Sequence, residues 1–234
     1  MIKKLLLMIA GAWMLLFAVA GALDAYLNWG RKPSDQDARQ PYVSLTAKPA
    51  LPVVLPTFEM RDQSEAIVSN ASLAGRVWVG AFVYAQCDSI CPTLNRVMGE
   101  IASDPQTASI GFITFSTDPT DDVPKLQRYK KQYPTLDATT WHVIRADTRH
   151  LPKIAYALNI IRSPDVMTNG YLPVSENLYL IDKTGTVVAV YNGFDAAQVE
   201  ALKINAARLV RGETPLPSPV GEPVKAPLPQ VIRD

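Results

Sequence analysis

Residues 76–84 (RVWVGAFVY) form an almost uninterrupted β-branched and aromatic run that stops three residues short of the first of the chain's two cysteines. Such a run reads as a buried central strand, so the chain needs layers packed on both of its faces. Directly after it, residues 91–102 (CPTLNRVMGEIA) place Leu94, Val97, Met98 and Ile101 at the spacing of one helical face. Residues 110–116 (IGFITFS) then read as a second core strand, 123–133 as an amphipathic helix, and 141–146 as a strand. A helix over 148–158 carries Pro152 in its first turns. Strands at 177–181 and 186–191 flank the turn Asp182-Lys183-Thr184-Gly185, and a last helix covers 195–210. This order predicts an α/β, thioredoxin-like fold over residues 53–212, with a central mixed sheet flanked by helices.

Both ends of the chain differ from this body. Lys3 and Lys4 precede an uncharged apolar run from residue 5 to 23. At about 1.5 Å per residue it nearly crosses a hydrocarbon core of roughly 30 Å. Ala18-Val19-Ala20 and Ala20-Gly21-Ala22 offer small-residue cleavage patterns, whereas the length of the run and Tyr26 and Trp29 just beyond it favour retention. Residues 1–30 are therefore predicted to be a transmembrane signal anchor, with the N-terminus in the cytoplasm and the body exported. In a bacterium the body would face the periplasm from the inner membrane. Residues 31–52 read as a linker and 213–234 as a proline-rich, disordered tail.

The 23 basic and 22 acidic residues give a net charge of +1, so no bulk electrostatic argument favours nucleic acid as a partner. Cys87 and Cys91 lie too close together for a scattered disulfide framework, which favours redox or metal chemistry. In Cys87-Asp88-Ser89-Ile90-Cys91-Pro92, Pro92 fits the first helical position. That makes Cys91 the expected N-cap, where unpaired N–H groups and the helix dipole favour a thiolate. The pair suits a dithiol–disulfide cycle, and two soft thiolates also suit Cu(I). A merely structural disulfide is the remaining reading, although so short a ring gains little loop-closure entropy.

Four segments carry a resemblance to the Sco/SenC family, which spans about residues 55–209. They are Phe58-Glu59-Met60-Arg61-Asp62-Gln63 with the following 73–79; Phe82-Val83-Tyr84 leading to Cys87, Cys91 and Pro92 as a CxxxCP site; Ser116-Thr117-Asp118-Pro119 with Asp122 and Pro124; and Tyr179-Leu180-Ile181-Asp182 with Gly185. The resemblance implies a thioredoxin-like protein of cytochrome oxidase assembly. Its clients would be the copper-site cysteines of an oxidase subunit, and copper would be held by the two motif cysteines and one histidine shortly before the YLID-like strand. Val174 stands where that histidine would be, and valine cannot coordinate a metal. His142 and His150 lie well upstream and read as surface or packing residues. Met167, in the loop before Glu176, is a candidate thioether donor for Cu(I) and equally a loop hydrophobe. Asp118 and Asp122 are expected near the site, with Asp122 favoured as a helix cap.

The leading expectation is thiol–disulfide exchange with an exported client, with Cys87 and Cys91 as the reacting residues and no cofactor required. The alternatives are Cu(I) delivery through the same two cysteines and a non-enzymatic interaction module with a structural disulfide.

Overall fold

In the computed structural model, residues 49–161 and 171–217 are described. In chain order their elements are β1 (Val53–Val54), β2 (Glu59–Arg61), β3 (Ile67–Ser69), α1 (Asn70–Leu73), β4 (Trp78–Val83) and α2 (Cys91–Ala102). A short 3₁₀ turn, Pro105–Thr107, leads to β5 (Gly111–Ser116), α3 (Val123–Lys131), α4 (Pro134–Asp137), β6 (Trp141–Ile144) and α5 (Leu151–Ala157). The last elements of the described residues are β7 (Asn177–Ile181), β8 (Thr186–Asn192) and α6 (Ala196–Val210).

One six-stranded sheet runs in the order β1-β8-β7-β4-β5-β6. β4, β5 and β6 are parallel neighbours, and β7, β8 and β1 continue the sheet antiparallel. This is the mixed α/β, thioredoxin-like architecture that the order of motifs predicts. β4 lies inside the sheet with every residue buried, as its composition requires. Because side chains alternate along a strand, Val79, Ala81 and Val83 join the α2 and α6 side of the sheet, while Trp78 and Phe82 join the α5 and β2–β3 side. Two cores result, one on each face, and the cysteines belong to the first.

Local chemistry explains the element ends. The helix expected over 123–133 stops at Lys131 because Tyr133 precedes Pro134 and adopts φ −123°, ψ 72°, outside the helical region, before α4 begins. Asp195 caps α6 by accepting from the N–H groups of Ala197 and Gln198. The β2–β3 hairpin reaches the main sheet through a bridge between Asp62 and Ile144. Four short pieces, β1, α1, the 3₁₀ turn and α4, have no counterpart in the sequence reading.

After α6 the proline-rich segment does not leave the domain at once. Asn205 accepts from the N–H of Leu216 at 2.7 Å and donates to its carbonyl at 3.0 Å, while Arg208 donates to the Thr214 carbonyl at 2.9 Å. Among the described residues no helix is long and apolar enough to cross a membrane; the apolar run 5–23 lies outside them.

Candidate functional site

The end of β4 and the start of α2 set the two cysteines against each other. The chain turns after Val83, the Cys87 N–H donates to the Tyr84 carbonyl at 3.2 Å, and helix begins at Cys91. Cys87 and Cys91 form a disulfide with an S–S distance of 2.05 Å and Cα atoms 5.8 Å apart.

The helix starts one residue earlier than the sequence suggests. Ile90, at φ −87° and ψ −29°, is already helical and stands as the cap residue, so Cys91 occupies the first helical position and Pro92 the second. Cys91 keeps its place among unpaired N–H groups at the positive end of the helix dipole. The two cysteines are unequally accessible: Cys91 is 0% exposed and Cys87 7%, although Gln86, Asp88 and Ser89 around them are exposed. The Ser89 hydroxyl lies 3.9 Å from the Cys87 sulfur.

Segment 172–175 packs across the ends of the central strands. The Leu172 N–H donates to the Thr117 carbonyl and the Ser175 N–H to the Phe82 carbonyl. The Leu172–Pro173 bond is trans, and the cis bond among the described residues is Leu51–Pro52. Between them Val174, 8% exposed, enters the same apolar cluster as Cys87 and Cys91.

The β5–α3 loop contributes acidic residues in three different roles. Asp118 accepts from the Thr120 N–H at 2.7 Å and shapes the turn. Asp122 accepts from the Lys125 N–H at 2.9 Å and caps α3, as expected. Asp121, which sequence reasoning passed over, is only 1% exposed. Its Oδ2 accepts from the Ala85 N–H at 2.8 Å and from the Ser116 hydroxyl at 2.7 Å, which ties the cysteine loop to β5. Burial pushes its carboxyl above the ordinary carboxylate value, against the opposing effect of these hydrogen bonds. An Asp-Asp pair at a helix start looks like duplicated capping, so no pattern in the sequence marked Asp121 as the inward member.

Neither histidine approaches a metal-like set. His142 on β6 pairs with Asp62 at 2.8 Å, and His150 pairs with Asp147 at 3.1 Å at the start of α5. Among the described residues no three His, Cys, Asp or Glu side chains come together to hold a metal ion. Met167 lies outside the described residues. Two sulfurs joined to each other, in an apolar cluster that holds Val174 and no imidazole, do not fit the cysteine–cysteine–histidine copper set that the resemblance implies.

The SCO1/SenC family model matches residues 47–208. The chain belongs to the SCO1/SenC family. The SCO1 protein homolog of Bacillus subtilis (strain 168) is 28% identical over 143 residues, which cover 59% of this chain and 73% of that protein. Among solved structures, that of BsSco, a member of the Sco family of cytochrome c oxidase assembly proteins in which a disulfide switch was identified, aligns with a TM-score of 0.57 at 22% identity. The alignment covers 70% of this chain and 97% of that one. Copper-bound ScoI of Arabidopsis thaliana aligns with a TM-score of 0.53 at 18% identity, covering 68% of this chain and 99% of that one. At these identities the two structures establish a shared fold, and within that fold Val174 sets this SCO1/SenC chain apart from the implied three-ligand site.

Proposed function

We propose that this SCO1/SenC protein performs thiol–disulfide exchange on an exported client, with the copper-site cysteines of an oxidase subunit as the class of client and the apolar run 5–23 as its membrane anchor on the periplasmic face. The observation that carries this reading is the pairing of Cys87 and Cys91 at the strand-to-helix turn, with one sulfur-bearing residue slightly exposed and the other sealed. In the forward direction the Cys87 thiolate attacks a client disulfide, forming a mixed disulfide and expelling a client thiolate. The Cys91 thiolate, favoured at the helix start, then attacks the Cys87 sulfur and releases the second client thiol. The client gains two electrons and the protein ends as the disulfide. An external dithiol must return it to the reduced form.

Copper delivery is the second reading. It is supported by the copper-bound relative and by the softness of two thiolates, with a third donor from Met167, from the client or none.

Trapping separates the readings. In Cys91→Ala the resolving step is lost, so a client should remain covalently attached to Cys87 and be released by reductant. Recovery of no mixed disulfide from either single cysteine variant, together with a potential below about −300 mV, would leave the bond as a structural staple.

A further inference from the structure

Three side-chain atoms among the described residues are buried with no hydrogen-bond partner: Asn95 Oδ1, Thr117 Oγ1 and Asp121 Oδ1. All three belong to elements that surround the cysteine turn. Asn95 sits one helical turn after Cys91 and donates to the Tyr129 hydroxyl through Nδ2 at 2.5 Å. The Thr117 N–H donates to the Val83 carbonyl, where β4 gives way to the cysteine loop. Asp121 reaches that loop directly, at Ala85, two residues before Cys87. An acid buried with half of its acceptor capacity unused is costly and needs a reason beyond packing.

We infer that Asp121 is a positioning residue for the cysteine pair, its carboxylate holding the Ala85 N–H so that Cys87 is presented to Cys91 and ring closure is favoured over the open dithiol. The inference rests on the exchange reading above and names the group that sets its balance. The Ala85 N–H lies two residues before Cys87, so a hold on it fixes the Cys87 end of the turn. Ser116 fixes the same Oδ2 from β5, so the loop is held against the sheet rather than against α2, which carries Cys91. A charged acceptor binds an N–H about twice as strongly as a neutral one, so the hold is strongest when Asp121 is ionised. Asp118 of the same loop and Lys125 and Tyr129 of α3 face the carboxylate; Asp118 opposes its ionisation and Lys125 favours it.

The test is redox equilibration of the full-length chain in glutathione buffers, read by thiol trapping and mass spectrometry. Two glutathione thiols supply two electrons and two protons to the pair and leave as one glutathione disulfide. Asp121→Ala should shift the equilibrium toward the dithiol by roughly tenfold. Asp121→Asn, which still offers an oxygen to Ala85, should return to within about threefold of wild type. Ser116→Ala should move the same way as Asp121→Ala by a smaller factor, and with Asp121→Asn it carries the test if the alanine variant does not fold. With the two cysteine protons accounted for, wild type should lose disulfide preference as pH falls through the Asp121 titration, and Asp121→Asn should lack that limb. A mere loss of folding stability would not remove it. If wild type opens and closes while all folded variants keep its equilibrium within twofold, the inference falls and the exchange reading stands. If wild type never opens in any glutathione buffer, both fall.

Discussion

His142 donates through Nδ1 to Oδ2 of the buried Asp62 at 2.8 Å, joining the β2–β3 hairpin to the edge strand β6. The other oxygen of Asp62 accepts from the Ser64 N–H and hydroxyl and from the Ala66 N–H, so one carboxylate both shapes the hairpin turn and docks it. Desolvation raises the Asp62 pKa, but the bonds from Ser64 and His142 outweigh it and hold the value below the ordinary one. A depressed carboxyl pKa contributes stability that is complete above the unfolded value of about 4 and is lost as pH falls through the lower folded value. Denaturant unfolding should therefore show a stability loss below about pH 4 that is reduced in Asp62→Asn. Asp62→Ala should cost about 2–4 kcal/mol at neutral pH.

The unequal burial of the cysteines makes a kinetic prediction. After reduction, iodoacetamide should modify Cys87 at least roughly tenfold faster than Cys91, because the thiolate favoured at the helix start is shielded from reagents. Peptide mapping at short times reads the ratio. Equal rates would place the roles of the two sulfurs in doubt.

The SCO1/SenC pattern would place a histidine where Val174 stands, so supplying a donor there should strengthen copper binding. Val174→His adds an imidazole to the cluster that holds both cysteines. Anaerobic titration of the reduced protein should show Cu(I) held on the order of a hundredfold more tightly than in wild type, consistent with the cost of losing a supporting group at a metal site. Wild type holding one Cu(I) as tightly as the variant would instead promote the copper-delivery reading.

How much of this was legible depends on the range of the interactions involved. Residues 91–102 form a helix because their apolar spacing is local, and β4 and β7 follow from runs that only a buried strand accommodates. Asp122 as a cap and Pro134 as a break follow from chemistry within three residues. The two-residue β1 was invisible because its strand character comes from pairing with β8, far along the chain. Asp121 was missed for the same reason: its partner at Ala85 lies 36 residues away, and only the fold shows that it points inward while Asp122 points along the helix. The helix start at Cys91 rather than after it reflects the geometry of Ile90 between two bonded cysteines, which no spacing rule encodes.

Asn205 gives the last prediction, because its side chain does for the proline-rich segment what a neighbouring strand would do. Its amide meets the N–H and the carbonyl of Leu216 and also donates to the buried Tyr191 hydroxyl at 2.7 Å. Asn205→Ala removes all three bonds and leaves the Tyr191 hydroxyl without this donor, so thermal or denaturant unfolding should register a loss of about 2–4 kcal/mol. Truncation after Gly212 removes the segment but leaves Asn205 bonded to Tyr191 and free to bind water, so its cost should be smaller, about 1 kcal/mol. The ordering of the two losses is the test. A truncation as costly as Asn205→Ala would mean that residues 213–217 stabilise the domain by covering α6 rather than through the amide clamp.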